Sequence, residues 1–178
     1  TLEGHAEKIW SVSFSRDGMR LLTVSWDLTA KVWNVARGTV IATLEGESDL
    51  TSAAFSPDGT RVVTAADNRA RVWDVDTGNV LFALEGHGEM VENAAFSADG
   101  KRIVTSSWDR TARVWDAATG ALQLTLAGHE YGVTSAAFSP DGSLVATASK
   151  DNTAKLHELR GPAPPGLLGR AHRGRQGH

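Results

Sequence analysis

FSADGKRIVTSSWDRTARVWD, residues 96–116, is the stretch whose reading decides the fold. Phe96 closes an apolar-ended run, Val91–Phe96, that reads as a first strand. Ala98-Asp99-Gly100 then supplies a tight turn, with a glycine where φ > 0 costs nothing. Residues 102–106 are rich in β-branched side chains and read as a second strand. Asp109-Arg110 opens another turn. Residues 111–115 alternate, with Ala112 and Val114 on one side and Arg113 on the other, as a third strand does. Past Thr119-Gly120, Leu122–Leu126 reads as a fourth strand. Four short strands joined by hairpins predict a small antiparallel sheet.

The same sheet is written four times. FSxDG begins at Phe14, Phe55, Phe96 and Phe138, spaced by 41, 41 and 42 residues. Gly-His recurs at His5, His87 and His129, with Gly46-Glu47 in the second slot. A turn aspartate recurs at Asp27, Asp67, Asp109 and Asp151, followed six residues later by Trp33, Trp73, Trp115 and finally His157. A fixed period of this length marks stacked units, each burying its faces only against its neighbours. No sustained helical period appears in residues 1–160.

Gly-His, a strand, Ser-x-Asp and Trp-Asp at this period resemble the WD-repeat family. The resemblance implies an all-β fold of β-propeller blades, each a four-stranded antiparallel sheet. It covers residues 1–160, divided at about 1–38, 39–78, 79–120 and 121–160. It also implies a polar network inside each blade: His5, Ser25, Asp27 and Trp33 in the first; His87, Ser107, Asp109 and Trp115 in the third; His129, Ser149 and Asp151 in the fourth. In such a network aspartate binds one imidazole nitrogen, serine the other, and the indole N–H the serine. The second blade keeps only Asp67 and Trp73, with Glu47 for histidine and Ala66 for serine. Blades two and four are therefore expected to be the less rigid.

A Ser, His and Asp set also invites a hydrolytic reading. A catalytic site is built once, whereas this trio recurs three times at the repeat period, and no Gly-x-Ser-x-Gly elbow is present. We expect no catalytic residue, no metal site and no cofactor: the histidines lie a repeat apart or in the tail, without paired-ligand spacing, and the repeated glycines are turn glycines. With no cysteine, disulfides and thiolate sites are excluded.

The face that family members commonly offer to proteins and peptides carries the Gly-His loop and the Ser-x-Asp turn. Positions there that differ between matched repeats are the candidate partner-binding residues: Lys8, Trp10, Trp26, Met90, Glu92, Trp108 and Lys150. Indoles bury much area with few rotors and dominate interface hot spots. The alternative is that each of Trp10, Trp26 and Trp108 packs over its own hairpin or a neighbouring blade. Lys31, Arg71, Arg113 and Lys155 recur on the third strands and read as a solvated stripe.

Four repeats fall short of the ring of about seven that the resemblance implies. Two architectures follow: an open arc cut from a longer protein, or a homodimer of two halves closing an eight-bladed ring. The start at Thr1, without methionine, suits a fragment or processed chain. Residues 161–178 are rich in Pro, Gly and Arg and read as a disordered tail. From Glu158 onward the charge is +3, within a chain of net charge -3. That balance argues against nucleic acid as a partner, and no apolar run is long enough to span a membrane. A cytoplasmic, non-catalytic protein- or peptide-binding scaffold is the leading functional expectation. A small-ligand binder or hydrolase using the central channel, and a purely structural fragment, are the alternatives.

Overall fold

A computed structural model describes residues 1–159; the expected tail lies outside them. It is all-β. The first sheet runs β1 (Ile9–Phe14), β2 (Arg20–Ser25), β3 (Thr29–Asn34), β4 (Thr39–Glu45); the second β5 (Leu50–Phe55), β6 (Arg61–Ala66), β7 (Arg69–Asp74), β8 (Val80–Leu84). The third runs β9 (Val91–Phe96), β10 (Arg102–Ser107), β11 (Ala112–Asp116), β12 (Leu122–Leu126). The fourth has three strands among the described residues, β13 (Val133–Phe138), β14 (Leu144–Ser149) and β15 (Ala154–Glu158). All pairs are antiparallel neighbours in sequence.

The strand-to-strand turns follow from their residues. In each FSxDG turn the serine hydroxyl donates to the aspartate two residues on, as Ser97 does to Asp99 at 2.6 Å, and the glycine sits near φ 70°. The second turn of three sheets puts a non-glycine residue, Leu28, Arg110 or Asn152, at φ 65–70°. In the shortened turn of the second sheet Asp67 itself takes positive φ.

Each sheet packs its trailing face on the leading face of the next, giving three cores. Leu22, Val24, Ala30, Val32 and Leu44 meet Leu50, Val62, Trp73 and Val75. Val63, Val72 and Leu84 meet Val91, Ile103, Trp115 and Ala117. Val104, Val114 and Leu126 meet Ala136 and Val145. Middle strands are covered on both sides, which is why runs such as Val62-Val63-Thr64-Ala65 are buried without alternation.

An arginine at the head of the second strand ties each sheet to the next. Arg20 donates to the Gly59 carbonyl at 2.8 Å and to Asp76 at 2.9 Å. Arg61 donates to the Gly100 and Ala117 carbonyls, and Arg102 to the Gly142 carbonyl at 2.6 Å. Arg61 and Arg102 also lie over the rings of Phe96 and Phe138 at 5.4 and 5.3 Å. The fourth sheet has Leu144 at this position.

The arc is open. On the leading face of the first sheet Ile9, Val12 and Phe14 are exposed, the last two by 62% and 63%. Their counterparts in the third sheet, Val91, Ala94 and Phe96, are packed in a seam. The trailing face of the fourth sheet exposes Ala146, Ala148, Ala154 and Leu156.

Candidate functional site

Each Gly-His loop is brought beside the turn between second and third strands. The Trp26 N–H donates to the Lys8 carbonyl, Trp108 to Met90 and Lys150 to Gly132, at 2.9–3.0 Å. One rim of the arc thus collects both the buried histidine networks and the seven candidate partner-binding residues.

The networks run inward from this rim. In the third blade the Trp115 indole donates to the Thr105 hydroxyl at 2.9 Å, and Thr105 meets His87 Nε2 at 2.7 Å. His87 Nδ1 meets Asp109 Oδ2 at 2.7 Å. Burial lowers the His87 pKa against the opposing pull of Asp109, so the ring is neutral, with its proton on Nδ1 and a free lone pair for Thr105. The Asp109 carboxylate also accepts from the Gly88 N–H and from the N–H and hydroxyl of Thr111. Burial works against its ionisation, but the Thr111 hydroxyl and His87 outweigh that and hold its pKa down. His5, Thr23, Asp27 and Trp33 repeat the arrangement in the first blade. There burial again opposes ionisation of Asp27, and bonds from Thr29, Ala6 and His5 overcome it, leaving the carboxyl far below the ordinary range.

The hydroxyl in the network is a threonine, not the expected serine. Ser25, Ser107 and Ser149 stand two residues further on, at the strand end. They donate to the Glu7, Glu89 and Tyr131 carbonyls and accept the N–H of the turn aspartate. Imidazole reaches the middle of the second strand, and there the sequence has Thr23, Thr105 and Thr147. Thr29, Thr111 and Thr153, which bond the turn aspartates, were also missed.

Blades two and four depart from this arrangement to different degrees. Blade four keeps His129, Thr147 and Asp151, and His157 Nε2 takes the indole's place at 3.1 Å from the Thr147 hydroxyl. The Thr153 hydroxyl leads the bonds that hold Asp151 ionised well below the usual range. In blade two Trp73 still donates to Thr64, at 2.8 Å. Glu47 turns away to Arg71 at 2.6 Å, which lowers its pKa. A cavity of about 10 Å³ lined by Ser48, Thr64, Asp67 and Arg71 stands where the other blades hold imidazole. The Asp67 carboxyl makes no hydrogen bond among the described residues.

The expected basic stripe is not a free one. Lys31 donates to Thr43, Arg71 to Glu47 and Lys155 to the Gly128 carbonyl. All four of these side chains, Arg113 included, are half-buried.

The candidate partner-binding residues form two groups. Trp108 donates its indole N–H to Glu92 at 2.8 Å, and the Lys150 ammonium lies 3.5 Å from its ring centroid. Met90, exposed, lends its carbonyl to this turn. The other group surrounds a cleft of about 610 Å³ between blades one and two, lined by Glu7, Trp10, Ser25, Trp26, Asp49 and Leu50. Trp26 is 59% and Trp10 42% exposed, with Lys8 5.2 Å from the Trp26 ring. Glu7 was not singled out in the sequence, where Glu89 repeats it in the third blade; Asp49 was visible as a position that varies between repeats.

No group of three or more histidine, cysteine or acidic side chains is arranged to hold a metal among the described residues. No helix there is long and apolar enough to cross a membrane.

Comparison with known proteins matches the family described as WD domain, G-beta repeat, four times, over residues 1–34, 38–74, 78–116 and 120–158. The chain is 42% identical over 67 residues to eukaryotic translation initiation factor 3 subunit I of Scheffersomyces stipitis, covering 38% of this chain and 19% of that protein. It is 36% identical over 69 residues to the serine-threonine kinase receptor-associated protein of Dictyostelium discoideum, covering 39% and 24%. An uncharacterised WD repeat-containing protein of Synechocystis is 41% identical over 68 residues, covering 37% and 20%. The matched stretch spans about a fifth of these relatives' length.

Proposed function

The chain belongs to the WD domain, G-beta repeat family, and from that premise we propose that it is a non-catalytic module, working in the cytoplasm, that binds a protein or peptide on the rim bearing Trp10, Trp26 and Trp108. The observation that carries this reading is the exposure of Trp26 beside an open cleft on that rim. An indole held in water by a rigid turn is available to a partner at little conformational cost. Two of the relatives are named as a subunit and as a receptor-associated protein, which accords with a role in assemblies. The geometry of the Ser, His and Asp trio supports the absence of hydrolysis: each His Nε2 is bonded to threonine, and the serines serve the turn.

The test is selection of a random dodecapeptide display library on the immobilised chain. Enriched peptides should lose retention about tenfold or more on the variant carrying Trp26→Ala and Trp108→Ala, the scale of a hot spot worth over ~1.4 kcal/mol. An empty selection, or undiminished retention on the variant, refutes the reading, as would stoichiometric labelling of the chain by a fluorophosphonate.

For assembly, we propose head-to-tail pairing of two copies into an eight-bladed ring. In support, both ends expose apolar side chains that the pairing would cover: Ile9, Val12 and Phe14 at one, Ala146, Ala148, Ala154 and Leu156 at the other. Leu144 leaves those two seams without the arginine of the internal ones, so the pair should dissociate on dilution while each half stays folded. Light scattering across a dilution series reads this; a monomer at every concentration ends the proposal.

A further inference from the structure

The cleft between blades one and two resembles a solved problem elsewhere on the same rim. In blade three an indole, Trp108, has a carboxylate at its N–H, from Glu92, and a cation on its ring face, from Lys150 of the next blade. Trp26 occupies the same place in the first repeat. The next blade there offers Ala66 where blade four offers Lys150. Among the described residues the Trp26 ring has Lys8 of its own blade at 5.2 Å, against the 3.5 Å of Lys150 on Trp108. Beside it stand a second exposed indole, Trp10, and two exposed carboxylates, Glu7 and Asp49. Neither carboxylate has a hydrogen-bond or ion-pair partner among the described residues.

Resting on the peptide-binding reading above, we propose that this cleft takes the guanidinium of an arginine side chain from the bound peptide. The cleft's volume falls in the range of about 300–1,000 Å³ over which small-ligand sites occur. Indole faces attract cations, and attract them more strongly as water is displaced. Two acidic residues in the lining, Glu7 and Asp49, favour a planar fork with several donors over the point charge of an ammonium. Arginine is the side chain that stacks flat on an indole while its edge donates to carboxylates. A neutral apolar side chain would leave Glu7 and Asp49 facing a dehydrated surface, which costs free energy.

The test follows the six indole N–H signals in ¹H–¹⁵N spectra of the whole chain during titration with N-acetyl-arginine methylamide. The same titration is run with the citrulline derivative, which keeps the shape and loses the charge, and with the lysine derivative. The Trp10 and Trp26 signals are expected to move with arginine, while the buried Trp33, Trp73 and Trp115 signals stay. Citrulline should bind at least tenfold more weakly, and lysine between the two. Glu7→Gln and Asp49→Asn should each weaken arginine binding about tenfold, at unchanged melting temperature, because a charged acceptor becomes a neutral one. Ala66→Lys, which rebuilds on Trp26 the contact that Lys150 makes on Trp108, should abolish it. Equal binding of arginine and citrulline, or still Trp10 and Trp26 signals, overturns the proposal. A chain that retains library peptides yet shows no such difference keeps the scaffold reading and loses the arginine site.

Discussion

Replacing Trp115 with alanine is expected to cost about 3–5 kcal/mol of unfolding free energy, the range for truncating a large buried aromatic. The side chain is 2% exposed and sits in the core shared by blades two and three, against Val63, Val72, Leu84 and Ile103. Its loss opens a cavity that two sheets border and that neither can fill, since both are pinned by their own hairpins. It also strips Thr105 of its donor. Against a typical total of ~5–15 kcal/mol, that is enough to leave much of the chain unfolded near body temperature. Trp115→Phe separates the two effects: it keeps most of the volume and should cost only the buried hydrogen bond and a small void, about 1–2 kcal/mol. Urea denaturation followed by far-ultraviolet circular dichroism measures both. A loss below ~1 kcal/mol for the alanine variant would show that the seam repacks and that the core assignment is mistaken. Trp26→Ala, on the exposed rim, should leave the midpoint within about 0.5 kcal/mol.

Asp109→Asn should cost about 2–3 kcal/mol, although the two side chains have nearly the same shape. The carboxylate accepts four donors, from His87, Gly88 and twice from Thr111. An amide places its own NH₂ group among them, so at least one buried donor goes unmet. The matching change in blade two, Asp67→Asn, should be nearly silent, because that carboxyl is unbonded and asparagine tolerates its positive φ. Equal effects at the two positions would overturn the network. The same residues set the acid limit. The His87 pKa lies below its ordinary 6.5, so its contribution is present above that pH and declines as pH falls toward the folded value. Asp27, Asp109 and Asp151 are depressed below 3.8, so their contributions are present above that pH and vanish further down. Melting temperature should therefore fall from pH 7.5 to 5.5 and fall again below pH 4. A flat profile over the upper interval would mean that His87 has the same pKa folded and unfolded, and a rise on acidification that it is charged in the fold.

The period was legible because each repeat spends its least replaceable residues at the same places: a φ > 0 glycine in a tight turn, an aspartate that fixes the next turn, an indole that fills the seam. Two strands of the third sheet, Val91–Phe96 and Leu122–Leu126, lie where alternation and turn residues put them. The third strand begins at Ala112, one residue late, because Thr111 is held by Asp109 in the turn. Choosing serine over threonine in the network failed for a plain reason. Thr105 and Ser107 lie two apart on one strand, so they share a face and a functional group. Only the reach of the imidazole separates them. The arginine ties were invisible for a different reason: their acceptors are backbone carbonyls of the following repeat, and a carbonyl leaves no letter in the sequence. Of the cleft, the two indoles and Asp49 could be read as departures from the repeat, whereas Glu7 is placed by the fold.

Those arginine ties have a consequence for the order in which the chain can mature on the ribosome. The clasp of Arg20 closes on Gly59 and Asp76, residues translated about forty and fifty-six positions later. Arg61 waits in the same way for Gly100 and Ala117, and Arg102 for Gly142. A newly made sheet is thus fastened only when the next one emerges, and synthesis from the amino end sets the sequence of locking. The last sheet, with Leu144, holds no clasp open behind it.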